Sequence, residues 1–215
     1  MSVPVAANEQ AVLAELARTR VLPVVAVEDA ASVGELCAAL LEGGIASVEI
    51  TFRTAAAAEA IARAAEVTGM LVGAGTVLTA EQARAALEAG AAFAVAPGTD
   101  DRVVAACDEL GLPFFPGIAT PSELGHALRI GRATVKVFPA AQLGGPGFLR
   151  AVAATFPEAR FIPTGGVDAD SLASYLAVPS VLACGGSWIA ERKLIAEGRF
   201  DEIAARARAA VEAAG

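Results

Sequence analysis

Two kinds of segment alternate along the chain. One is a short β-branched or apolar run that ends in Gly, Pro or Thr. The other is longer and alanine-rich, with charges at helical spacing. This alternation predicts repeated strand–helix units on a parallel sheet. A helix is expected first, over residues 8–18. Strands are expected over 21–27, 47–52, 70–75, 93–96, 113–117, 134–138, 161–164 and 181–184, each followed by a helix. The helices are expected over 29–42, 55–67, 79–88, 100–110, from Thr120-Pro121-Ser122-Glu123 onward, from the Gly144-Gly145-Pro146-Gly147 loop through Phe156, over 169–176, and over 188–212 with an interruption at Gly198. Local punctuation supports these limits. Gly43-Gly44 stands where a helix should end, Thr79 where an N-cap should sit, and Pro121 in the first turn of a helix. Eight such units favour a closed α/β barrel, a (β/α)8 TIM barrel with an additional N-terminal helix, over an open doubly wound sheet. With no linker or low-complexity tract, the expectation is one domain over 1–215.

Composition narrows the function classes. The formal net charge is −8 and no basic run is present, which argues against nucleic acid and anionic membrane as partners. The apolar runs are short and broken by glycine and charge, so no membrane span is expected. No basic stretch followed by an apolar core opens the chain, so no signal peptide is expected. Cys37, Cys107 and Cys184 are far apart in apolar contexts and read as reduced packing residues of a cytoplasmic protein. An anionic small-molecule ligand would need local positive potential from a few side chains, backbone N–H groups and helix N-termini.

Candidate chemistry gathers at the C-terminal strand ends, where barrels of this kind carry their sites. The sixth strand places Lys136 inside the apolar run Thr134-Val135-Lys136-Val137-Phe138, in a chain with two lysines and fourteen arginines. Arginine stays protonated, whereas a buried lysine yields a nucleophilic amine of the kind Schiff-base chemistry uses. The alternative is a snorkelling lysine with its head in solvent. Alternation along the strand turns Thr134, Lys136 and Phe138 inward. In the second strand the same rule turns Glu49, Thr51 and Arg53 inward and Val48, Ile50 and Phe52 toward the helices. An inward carboxylate suits a general base, although a Glu–Arg pair that only fills the barrel is the other reading. Together, one inward lysine, one glutamate and one arginine make a plausible imine-forming site.

A second constellation follows the seventh and eighth strands. Gly165-Gly166 and Gly186-Ser187 can aim backbone N–H groups at a phosphate in the corner where such barrels commonly bind it; ordinary turn glycine is the alternative. His126, the one histidine, reads as a surface or packing residue and Trp188 as an anchor for the last helix. No cluster has metal-ligand spacing. No metal or other cofactor is expected, and a lysine imine would then be the electron sink available to the site.

These motifs, taken in order, carry a family resemblance. Gly43–Thr54 reads Gly-Gly-Ile-x-x-Val-Glu-Ile-Thr-x-Arg-Thr, followed by Val-Gly-Ala-Gly-Thr-Val-Leu (72–78), Pro-Gly-Ile-x-Thr (116–120), Lys-Val-Phe-Pro-Ala (136–140), Pro-Thr-Gly-Gly-Val (163–167) and Gly-Gly-Ser-Trp (185–188). Over nearly the whole chain they resemble the 2-keto-3-deoxy-6-phosphogluconate (KDPG) aldolases, a family that includes enzymes also cleaving 4-hydroxy-2-oxoglutarate. The resemblance implies a metal-independent class I aldolase with a (β/α)8 barrel, usually a homotrimer, acting on a phosphorylated 2-keto acid and releasing pyruvate. It implies Lys136 as the Schiff-base lysine and Glu49 as the proton-transfer residue. Arg53 and Thr76 would hold the pyruvate carboxylate, and Pro97 and Phe138 would line the pocket. Thr164, Gly165, Gly166, Gly186 and Ser187 would surround the phosphate. Ala119 and Pro121 depart from the more polar or β-branched residues of relatives, while Arg53-Thr54 favours the gluconate branch over the galactonate-type enzymes. A phosphosugar isomerase-type barrel and a non-catalytic phosphometabolite-binding barrel are the alternatives; neither explains the lysine.

Overall fold

The computed structural model describes residues 9–215; Asn8, the first residue of the expected N-terminal helix, lies outside them. The parallel strands among these residues are β1 (Val21–Val25), β2 (Ser47–Thr51), β3 (Leu71–Gly75), β4 (Phe93–Val95), β5 (Phe114–Phe115), β6 (Gly117–Ile118), β7 (Thr134–Val137), β8 (Arg160–Pro163) and β9 (Cys184–Gly186). They form a six-stranded sheet, β5-β4-β3-β2-β1-β9, and a three-stranded sheet, β6-β7-β8. The two sheets join at both ends. β5 and β6 are the halves of the one strand expected over 113–117, interrupted at Pro116. Proline has no N–H to offer a ladder, but its carbonyl still accepts from the Lys136 N–H at 2.9 Å. On the other side, bridges Phe161↔Val181 and Thr164↔Gly185 tie β8 to β9. Eight strand positions therefore close into a ring.

Helices follow the strands as expected, with sharper limits. They are α1 (Glu9–Thr19), α2 (Val33–Glu42), α3 (Ala57–Ala65), α4 (Ala80–Glu88), α5 (Asp101–Leu110), α6 (Pro121–Arg129), α7 (Gly145–Thr155), α8 (Leu172–Leu176), α9 (Arg192–Ala196) and α10 (Phe200–Ala214). The expected helix over 188–212 is two helices, and Gly198 between them has a φ of 66°. Thr79 caps α4 by accepting from the Gln82 N–H, and Thr120 and Glu123 form a reciprocal capping box at α6. Among the described residues no helix is long and apolar enough to cross a membrane.

The core has two layers. The larger lies between strands and helices and takes the outward residues, such as Val48, Ile50, Val135 and Val137. The smaller fills the barrel, where Val12 and Leu16 of α1 join Leu22, Phe93, Val95, Phe115, Ile162 and Ala183. The helix thus plugs the N-terminal mouth with apolar side chains, and the opposite mouth carries the polar interior. All three cysteines are free and buried. Burial pushes the thiols up from 9.0, to about 11 at Cys37 and about 12 at Cys107 and Cys184.

Candidate active site

β2 and β7 sit on different sides of the ring, and both turn a polar side chain inward. The register Glu49↔Gly73 and Lys136↔Ile162 fixes their depth. The Lys136 ammonium donates to Glu49 Oε1 at 2.9 Å, across 87 residues of chain. Lys136 is 4% exposed and Glu49 0%; Lys193, the other lysine, has its side chain 75% exposed. The snorkelling reading is therefore excluded for Lys136. Glu49 Oε2 is buried and has no hydrogen-bond partner among the described residues. A buried carboxylate oxygen without a donor is energetically unfavourable, and it leaves Glu49 with an unused acceptor. The alternative of a Glu49–Arg53 filler pair does not form: Arg53 bonds elsewhere.

Arg53 is held by a short relay. Its Nε donates to Thr51 Oγ1 at 3.0 Å, and that hydroxyl donates to the Val25 carbonyl at 2.9 Å. Thr51 was legible as an inward residue from the alternation of β2, but its orienting of Arg53 was not. The arginine lines a cavity of about 340 Å³ together with Ser187, Arg192 and Lys193. Pro97 and Phe138 line a second cavity, of about 460 Å³, with Val77, Leu78 and Phe114. Phe138 directly follows β7, which ends at Val137, and stands 38% exposed on the rim.

Thr76 directly follows β3 with a φ of 58°. A β-branched residue in the left-handed region is an outlier of the kind found at functional sites. Thr164 and Gly185 bridge β8 to β9, and a Cβ at position 185 would fall 2.3 Å from Thr164 Oγ1, so this close seam requires glycine. Gly165 and Gly166 have φ of 93° and 75°, where a side chain would be strained. Among the described residues no backbone hydrogen bond uses either of their N–H groups. Gly186 is buried and Ser187 exposed at the end of β9. The structure thus brings Lys136 and Glu49 into contact, and Arg53 and Ser187 onto one cavity. It sets Pro97 and Phe138 on another, with Thr76, Thr164, Gly165, Gly166 and Gly186 at the C-terminal strand ends around them. His126 is away from all of these, its ring nitrogen 2.6 Å from Asp101 on the exposed face of α5 and α6.

The KDPG and KHG aldolase family matches residues 12–206. A 2-dehydro-3-deoxy-phosphogluconate aldolase of Treponema pallidum is 47% identical over 201 residues, 93% of this chain and 96% of that protein. The KHG/KDPG aldolase of Escherichia coli K12 is 42% identical over 90% of this chain and 92% of its own. Among solved structures, the KDPG aldolase of Legionella pneumophila, with pyruvate captured at low pH as a covalent carbinolamine intermediate, superposes with a TM-score of 0.88 at 35% identity, covering 92% of this chain and 96% of that one. With the motifs, the closed barrel and these matches in agreement, the chain belongs to the KDPG and KHG aldolase family.

Proposed function

We propose that the protein is a class I aldolase that cleaves 2-keto-3-deoxy-6-phosphogluconate to pyruvate and glyceraldehyde 3-phosphate, and that it also splits 4-hydroxy-2-oxoglutarate to pyruvate and glyoxylate. The observation that carries this reading is the buried Lys136–Glu49 contact at 2.9 Å. A proton passed across it leaves Lys136 as a neutral amine, the form that attacks a ketone.

The amine adds to C2 of the substrate, and Glu49 gives the proton it took to the C2 hydroxyl, which leaves as water; this yields a protonated imine and restores the carboxylate. Glu49, with Oε2 free to accept, takes the proton of the C4 hydroxyl. The C4 oxygen closes to a carbonyl, the C3–C4 bond breaks, and its electron pair moves to the imine nitrogen as an enamine. The aldehyde leaves. Glu49 returns the proton to C3, and hydrolysis of the imine frees pyruvate and Lys136. Arg53, steadied by Thr51, and Thr76 hold the pyruvate carboxylate; Pro97 and Phe138 flank the substrate chain. Thr164, Gly165, Gly166, Gly186 and Ser187 receive the phosphate, with backbone N–H groups supplying the donors. The enzyme works as one domain and as a cytoplasmic homotrimer, with no cofactor.

Pyruvate release, followed by lactate dehydrogenase coupling, tests the substrate assignment. The expected result is turnover of both substrates with a higher kcat/KM for the phosphorylated one. Release of no pyruvate from either would overturn the reading and return the isomerase and binding-barrel alternatives.

A further inference from the structure

The inward face of β3 carries almost no side chains. Its residues there are Leu71, Gly73 and Gly75, and the space above Leu71 is taken by neighbours from either side. A Cβ at position 73 would fall 2.2 Å from the ring of Phe93 on β4. A Cβ at position 75 would fall 2.2 Å from Glu49 Oε1, 2.7 Å from Cγ and 2.8 Å from Cδ. The carboxylate therefore occupies the volume that any other residue at position 75 would need. The register sets this up: Thr51 pairs with Gly75, so Glu49, two residues earlier on the same face, leans along β2 into that gap. The backbone there is also fixed, because the Gly75 carbonyl accepts from the Phe52 N–H at 2.8 Å. With the strand held, the group that must give way to an added methyl is the glutamate side chain, and it is the Oε1 contact to Lys136 that it would lose.

We propose that Gly75 is a positioning residue for the aldolase reaction: its missing side chain holds Glu49 against Lys136 at the distance proton transfer requires. The proposal rests on the reading of Glu49 as the proton-transfer group. Gly75 itself touches no reacting atom. Its effect runs through one carboxylate, so it should slow the proton transfers Glu49 performs while leaving in place the Lys136 nucleophile on which the imine is finally trapped.

The test is a double-mutant cycle on Gly75→Ala and Glu49→Ala with two readouts. The first is proton exchange at the methyl group of pyruvate in deuterated water, followed by NMR, beside the final yield of the borohydride-trapped imine. Gly75→Ala should slow exchange about 100-fold, the scale of misplacing a reacting group by about 1 Å, while the trapped yield stays at the wild-type level. The second readout is Tm. Gly75→Ala should lower it in the wild-type background and leave it unchanged in Glu49→Ala, where the clashing carboxylate is gone; neighbouring residues that act through one contact are non-additive in this way. If Gly75→Ala alone fails to fold, the double variant should fold. Wild-type exchange in Gly75→Ala, or an equal Tm loss in both backgrounds, would overturn the proposal. The wild-type protein failing to trap pyruvate would instead sink the functional reading, and the Tm cycle would still report on the Gly75–Glu49 contact.

Discussion

At the N-terminal mouth of the barrel, Val12 and Leu16 of α1 join Leu22, Phe93 and Ile162 in a sealed apolar cluster. Toward the C-terminal mouth the same interior changes to Glu49 and Lys136, ringed by glycines and threonines. Each mouth also contains one of the two non-glycine residues with positive φ among those described, Arg20 at 57° and Thr76 at 58°. Their settings differ. Arg20 joins α1 to β1, and its guanidinium donates to the Leu176 carbonyl at 2.7 Å, tying α8 to the plugged end. Thr76 follows the strand that makes room for Glu49. The same backbone departure serves packing at one end and the site at the other. The contrast teaches that stability and chemistry are separated along the barrel axis, so substitutions at the two ends should fail in different ways.

The largest expected effect is at the site. Lys136→Arg keeps a cation beside Glu49 and should keep the fold by circular dichroism, but turnover should vanish because arginine cannot form the imine. Glu49→Gln should lower kcat by about 100- to 10,000-fold, the usual contribution of a positioned acid–base group, and still trap the imine with borohydride. At the plugged end, Leu16→Ala should lower unfolding free energy by about 2–5 kcal/mol in urea with kcat unchanged at temperatures where it stays folded. Loss of kcat in that variant would break the separation of the two ends. Thr76→Gly relieves the left-handed backbone and should leave stability level or raise it by no more than about 1 kcal/mol, while KM for the substrate rises. Arg20→Gly relieves the same conformation but loses the tie to Leu176, so it should lower Tm and spare KM.

The smallest effect is on pH dependence. The folded thiols are raised to about 11 and about 12 from 9.0. Below that ordinary value both states are protonated and the contribution to stability is fully present. As pH rises from about 9 toward 11–12 the unfolded chain ionises first, so stability should fall in this window. Urea midpoints across the range, compared with a Cys184→Ala variant, would show whether the slope softens when a thiol is removed.

Much of this architecture was legible because strand and helix periods alternate without interruption, and glycine, proline and threonine mark the joints. The plug by α1 was not: nothing in the pattern of 8–18 says which mouth its apolar stripe meets. Pro116 sits inside a run that reads as one strand, yet its missing N–H divides the ladder. The strand expected over 134–138 ends one residue earlier, at Val137, which leaves Phe138 on the rim of the mouth. At the site, the inward faces of Glu49 and Lys136 followed from period two alone. Their contact did not, because it depends on how the ring closes between residues 87 positions apart. The need for glycine at 75 was hidden for the same reason, since it arises from a neighbouring strand's side chain.

The central claim is that Lys136 is the nucleophile. Incubation with pyruvate and borohydride, followed by peptide mass spectrometry, tests it directly. The account predicts one reduced three-carbon adduct per chain, on the peptide containing Lys136 and absent from Lys136→Arg. An adduct on exposed Lys193 instead, or none at all, would contradict it.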